Sequence, residues 1–303
     1  MEKRTQDMLK KVRAVEIQTR RLVNQALSGS YRSAFKGRGI DFEEVREYAY
    51  GDDVRTIDWN VTARSRRPYV KQYREERELS MILMLDLSAS GSFGSQHQTK
   101  RELATELAAV LAFSAMSSND KVGLILFTDR IECFIVPGKG RKHVLRIIRE
   151  LLFFEAKGRS TDMVESLSYV LKMMRKRSVI FLLSDFLHFS DKVPETDPRH
   201  PLYRTLRLVA QKHDLICGVL TDPREFELPK VGYVEFEDAE TGQILEINTH
   251  SRRTREQYRQ LTLRHARLRD QALKQSGIDT MVLSTDEPYI ESLRRLFAQR
   301  SRH

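Results

Sequence analysis

The residues of this sequence best suited to chemistry are oxygen donors. Asp86, Ser88 and Ser90 form a D-x-S-x-S loop, Asp86-Leu87-Ser88-Ala89-Ser90-Gly91, directly after an apolar run. Gly158-Arg159-Ser160-Thr161-Asp162 stands just before a helix-like stretch, and Ser184-Asp185 ends a second apolar run. A carboxylate and several hydroxyls meeting at one place would make an oxygen-only site, which selects a hard cation such as Mg2+, Mn2+ or Ca2+. In that arrangement Asp86 contributes the fixed charge, Ser88 and Ser90 supply neutral oxygens, Thr161 a third, and Asp185 orients a bound water. Few directly bound carboxylates leave such a metal electron-poor, so it seeks an external anionic oxygen, a partner's Asp or Glu. Taken alone, Asp86 would serve equally as a cap for the following turn, with Ser88 and Ser90 as helix-start residues. Three clusters in order, each at a strand or helix end, favour the metal.

The elements that must position these residues follow from periodicity. Residues 79–88, 122–129, 178–186, 214–222 and 279–285 are Val-, Ile- and Leu-rich runs of strand length. They lack polar alternation, so they are strands buried on both faces. Residues 131–137 read as a strand turning back from 122–129. Helical spacing covers 99–118, 141–153, 161–176, 201–212, 251–275 and 287–299. Strands alternating with helices predict an α/β fold, a mainly parallel sheet with helices on both faces. Ligands in such sheets bind beyond the carboxyl ends of the strands, where the three clusters fall.

The expected organisation has three parts. Residues 1–30 carry an N-terminal helix, with Met8, Val12, Val15, Thr19, Leu22 and Ala26 on one face and Ser28-Gly29-Ser30 as its stop; that stripe should dock on the chain's own body. Residues 31–78 are a small β-rich extension of short strands and turns. Residues 79–303 are the main domain, with a hairpin inserted at 231–248 around Glu240-Thr241-Gly242.

The extension and the three clusters together carry a resemblance. Strand-Asp86-Leu87-Ser88-Ala89-Ser90, the distal Thr161 and a strand ending in Ser184-Asp185 resemble the metal-ion-dependent adhesion site of von Willebrand factor A domains, a Rossmann-type fold. YGDDVRTIDW (50–59), AR (63–64) and RPYVKQYREERE (67–78), directly before that strand, resemble the domain of unknown function 58 family, from about Gly37 to about Asp185. The resemblance implies a von Willebrand factor A-like domain in bacterial cells. It also implies a partner, a MoxR-type AAA+ ATPase, in systems that remodel or mature other proteins. Many relatives carry N-terminal membrane helices, and this sequence shows no comparable run. Two departures stand out: Ser160 precedes Thr161, leaving open which hydroxyl meets the metal, and Phe186 follows Asp185 where many von Willebrand-like domains have Gly.

Composition narrows the remaining classes. No apolar run approaches the roughly 20 residues of a membrane span, and no signal-peptide pattern is read at the N-terminus. Cys133 and Cys217 lie in apolar stretches without zinc spacing, as expected of buried thiols in a cytoplasmic protein. The net charge of +10 would suit an acidic partner, but the basic residues are interspersed with Glu and Asp. The arginines at 252–269 are the main exception, and their spacing distributes them around a helix. Asp52, Asp53, Asp58 and Trp59 read as caps and a packing anchor rather than a second site.

Enzyme motifs are missing. No Walker lysine loop or G-x-S-x-G elbow occurs, and Ser88 stands where a haloacid-dehalogenase-type phosphatase would need its second Asp. The sequence therefore points to a non-enzymatic, metal-ion-dependent protein-interaction module. The alternatives are a metal-dependent phosphoesterase, which lacks an evident general base, and a nucleic-acid-binding protein using the 252–269 arginines.

Overall fold

The apolar runs become the six strands of one sheet. The computed structural model describes residues 2–23, 27–35, 41–65, 67–74, 79–95, 98–187, 200–237 and 242–301. In chain order the elements are α1 (Glu2–Leu22), α2 (Ser28–Ala34), β1 (Asp41–Glu47), α3 (Trp59–Ser65), β2 (Tyr69–Arg74), β3 (Ser80–Asp86), α4 (Lys100–Ser117), β4 (Lys121–Phe127), β5 (Ile131–Gly138), α5 (Arg141–Phe153), α6 (Met163–Met173) and β6 (Val179–Ser184). There follow α7 (Pro201–Lys212), β7 (Asp214–Thr221), β8 (Tyr233–Glu237), β9 (Ile244–Asn248), α8 (Arg252–Gln275), β10 (Asp279–Ser284) and α9 (Tyr289–Arg300). Two compact units result, Met1–Ala34 with Ser80–His303, and Phe35–Leu79.

In the first unit the strand order is β10-β7-β6-β3-β4-β5. All neighbours are parallel except β5, which runs antiparallel to β4. Counted within the sheet, this is the doubly wound order 3-2-1-4-5-6, with the chain reversing its direction of travel between β3 and β6. The α/β class with a mainly parallel sheet is therefore the fold observed. Residues 81–86 and 179–184 are buried throughout, because helices cover both faces. Ile82, Met84, Ile180 and Leu182 pack in one core with Leu167 and Val170 of α6 and Leu206 and Val209 of α7. The intervening Leu83 and Leu85 point the other way, and α4 packs on β3, β4 and β7 through the sheet's second face.

The helix starts are written locally. Thr99 caps α4 in a capping box, accepting from the Glu102 N–H while the Glu102 carboxylate accepts from the Thr99 N–H. Asp162 caps α6 through the Glu165 N–H at 2.8 Å. α1 packs on α4 and α5, but the buried face is turned slightly from the expected stripe: Val12 and Thr19 are buried, Val15 and Leu22 only half-buried, and Val23, outside the stripe, is buried. Glu16 is buried with them, tied to Arg141 by bonds of 2.7 and 3.1 Å.

One expectation fails here. Ser28-Gly29-Ser30 does not stop helical structure but opens α2. The reason is packing: Tyr31 is buried, its ring stands edge-on to Phe297 at 6.0 Å, and its hydroxyl donates to Asp120 at 3.1 Å. Tertiary contacts override a weak local stop. Ala26 and the hairpin residues Glu240 and Thr241 lie outside the described residues; β8 and β9 pair antiparallel on either side.

In the second unit β1 and β2 pair antiparallel. Asp52 takes a two-pronged bond from Arg46 at 2.8 and 2.7 Å, Asp53 caps a short turn at Arg55, and Asp58 caps α3 through the Asn60 and Val61 N–H groups. The aspartates are structural, as read. Trp59 is not the anchor expected: at the first position of α3 the residue is 69% exposed. Among the described residues no helix is long and apolar enough to cross a membrane.

Candidate metal centre

Asp86 is the last residue of β3 and Ser184 the last of β6, so adjacent parallel strands deliver both to the switch point. The Ser184 hydroxyl donates to Asp86 Oδ2 at 2.7 Å, and the Ser88 N–H donates to Oδ1 at 2.9 Å. Ser88 and Ser90 stand on the short 3-10 turn that follows, with their hydroxyl oxygens 3.0 Å apart. Ser88 stands at the N-cap position of that turn without a side-chain capping bond, and the Asp86 carboxylate, by accepting the Ser88 N–H, also caps the turn.

The third cluster reaches Asp86 from the loop before α6. Thr161 Oγ1 lies 3.3 and 3.5 Å from the two Asp86 oxygens, so of the adjacent hydroxyls Thr161 is the one directed at the carboxylate. The loop is held in place twice. Ala89 N–H donates to the Arg159 carbonyl at 2.9 Å, and Glu132 accepts from the Lys157 and Gly158 N–H groups and from Thr128. Burial works against the Glu132 charge, yet these bonds keep its pKa below the usual value. Gly158 is required by space: a Cβ there would run into the Thr128 and Asp129 side chains.

Asp185 follows Ser184 and is buried. Its Oδ2 accepts from Lys100 Nζ at 2.6 Å, and its Oδ1 from the Leu187 N–H at 3.3 Å. Lys100 also donates to Glu225 Oε1 at 2.5 Å. Burial opposes its charge, but the two carboxylates outweigh that and raise its pKa. Glu225 Oε2 accepts the Asp222 N–H at 3.0 Å, and Asp222 holds Ser95 and Thr285 by bonds of 2.6 to 2.8 Å. Ser184, Lys100, Glu225 and Asp222 are thus parts of the site that motif reading passes over. Lys100 had a signal: it heads the apolar stripe Leu103, Leu107, Leu111 of α4, where a lysine must be buried.

The left-handed backbone of Phe186, φ 54°, explains the second departure from the von Willebrand pattern. Glycine adopts that conformation without strain. Here a phenylalanine adopts it because its ring is buried in the core with Leu202 and Tyr203.

Whether a cation fits can be judged from Asp86. It is buried, and burial first, then the neighbouring Asp185 charge, raises its pKa. Among the described residues no Lys, Arg or His forms an ion pair with it. A buried carboxylate without a counter-charge is costly. It is surrounded by hydroxyl oxygens from Ser184 and Thr161, with Ser88 and Ser90 beside it. This donor set suits a hard divalent ion, although it contains no group of three His, Cys, Asp or Glu among the described residues.

The family profile described as "Protein of unknown function DUF58" matches residues 44–268. An uncharacterized protein of Mycobacterium tuberculosis (strain ATCC 25618 / H37Rv) is 28% identical over 293 residues, 96% of this chain and 89% of that protein. Among solved structures, the conserved hypothetical protein BatB from Bacteroides thetaiotaomicron is similar at 12% identity and a TM-score of 0.44, over 74% of this chain and 100% of that one. A von Willebrand factor type A protein from Catenulispora acidiphila is similar at 12% identity and a TM-score of 0.40, over 74% of this chain and 43% of that one.

Proposed function

The chain belongs to the family described as "Protein of unknown function DUF58", and on that premise we propose that it is a metal-ion-dependent protein-interaction module. Asp86, Ser88, Ser90 and Thr161 would hold Mg2+ or another divalent cation (Mn2+ or Ca2+), with Asp185 orienting a bound water. When bound, the ion supplies an electrophilic docking point for a partner's carboxylate. The protein's own contribution is positional. β3 and β6 fix Asp86 and Ser184 in register, Glu132 and Gly158 fix the loop bearing Thr161, and Lys100 fixes Asp185. The observation that carries the reading is the buried Asp86 carboxylate, ringed by hydroxyls and, among the described residues, without a basic partner.

By family resemblance the partner is a MoxR-type AAA+ ATPase, in protein remodelling or maturation. Docking rather than turnover suits the sequence, which carries no recognised catalytic motif around these residues. Titration calorimetry with Mg2+ and Mn2+ tests the metal. Binding by the wild type and its loss in Asp86→Ala is expected; equal, negligible heats from both would refute it. Co-purification with the ATPase should weaken in Asp86→Ala, and a complex indifferent to that change would show that docking bypasses the metal.

A further inference from the structure

We propose that Lys100 is a resident cation of the site, a positioning residue that keeps the Asp185 carboxylate from ligating a divalent ion directly. This rests on the metal-docking reading above.

Lys100 occupies an unfavourable place twice over. It is the first residue of α4, where the helix end repels a cation, and its side chain is 0% exposed although lysine stems ordinarily carry their charge out to water. It is kept there by two carboxylates, Asp185 at 2.6 Å and Glu225 at 2.5 Å. Both are themselves anchored: Asp185 by the Leu187 N–H, and Glu225 by the Asp222 N–H, with Asp222 fastened to Ser95 and Thr285. The ammonium therefore cannot swing away without breaking a line of bonds that crosses the ends of β6, β7 and β10.

Two consequences follow for a bound ion. Asp185 has Oδ2 on a cationic donor, whereas Asp86 accepts only from neutral ones, so a metal must compete with the ammonium for Asp185 and meets it through water. Charge tells the same story. Asp86, Asp185, Glu225 and Asp222 carry four negative charges and Lys100 one positive, an excess of three that a divalent ion reduces. Without Lys100 the excess is four, and Asp185 is released toward the ion. The lysine thus weakens the site's own hold on the metal and leaves its electrophilicity for an outside carboxylate.

Mn2+ affinity of the full chain, measured by titration calorimetry and by electron paramagnetic resonance of free Mn2+, tests this by its sign. Lys100→Met should bind Mn2+ at least about tenfold tighter than wild type, because an opposing charge a few ångströms away is gone. Glu225→Gln leaves the ammonium facing one carboxylate and should bind more weakly. A lysine that merely supported the fold would weaken binding in both variants. Lys100→Met/Glu225→Gln has the wild-type charge balance and removes the mismatched buried pair. It carries the test if the single variant does not fold, and should also bind tighter than wild type. Affinity in the folded Lys100 variants equal to or weaker than wild type overturns the proposal. If neither wild type nor variants take up Mn2+ at millimolar concentration, the docking reading itself falls, and this one with it.

Discussion

Replacing Asp86 by asparagine should make the metal-free protein more stable, the reverse of what removing a bonded core residue usually does. The carboxylate accepts from Ser88 N–H, from the Ser184 hydroxyl and from Thr161. Asparagine has the same shape. Its oxygen accepts from Ser88, and its amide donates to the two hydroxyls, which turn to accept. The bonds survive and a buried, uncompensated charge disappears, a gain of about 1–3 kcal/mol. For a domain of this size that is about 3–9 °C in Tm.

Metal inverts the order. At an Mn2+ concentration near one hundred times Kd, the wild type gains about 2.7 kcal/mol and Asp86→Asn gains none. Acidity acts on the metal-free wild type in a defined direction. Asp86 has a raised pKa, so the folded chain takes up its proton at a pH where the unfolded chain has not. Stability of the metal-free wild type relative to Asp86→Asn therefore improves as pH falls through that raised range, and levels off below the ordinary carboxylate value. Thermal unfolding in EDTA and in Mn2+, at several pH values, measures all three effects. An Asp86→Asn protein that melts below wild type in EDTA at neutral pH, beside a wild type unmoved by Mn2+, would refute the reasoning.

Phe186→Gly relieves a left-handed backbone at φ 54° but empties a buried site; strain of about 1–2 kcal/mol is set against a cavity of about 3–5, so urea denaturation should show a net loss of about 1–4 kcal/mol. Gly158→Ala forces Thr128 and Asp129 aside, and should cost about 1–3 kcal/mol of stability and weaken Mn2+ binding, read by calorimetry on the folded variant. His213 is fully buried with neither ring nitrogen bonded, and burial, then Lys212 and Arg177, lower its pKa to about 4. Between pH 6.5 and 4 the unfolded state takes up a proton that the folded state refuses, so stability falls as pH falls. His213→Phe should flatten that part of the stability profile by about 3 kcal/mol, measured by denaturant midpoints across the range.

Much of the fold was legible because its signals are local. The buried strands announce themselves as unbroken apolar runs, and α5 and α7 begin and end where their spacing says. The oxygen donors could be read because parallel strands always release their last residues at the same edge, so Asp86 and Ser184-Asp185 had to be neighbours if β3 and β6 were. What escaped depends on contacts between distant segments. Nothing near Ser28-Gly29-Ser30 reveals that Tyr31 has Phe297 and Asp120 waiting for it. Trp59 looks like an anchor by residue type, yet its neighbours leave it largely open. Lys100 was visible only as a lysine in the wrong stripe, and its two carboxylates come from residues far along the chain.

The meeting of Tyr31 with Phe297 also has a bearing on synthesis. α2 completes its packing only when α9, made much later, has emerged. Until then the Tyr31 ring lacks its Phe297 neighbour, although α4 and Asp120 are already there to meet α2. Such a long wait between the two halves of a contact slows folding and invites chaperone capture. Ribosome-stalled chains that stop before α9 should therefore be the ones that chaperones hold.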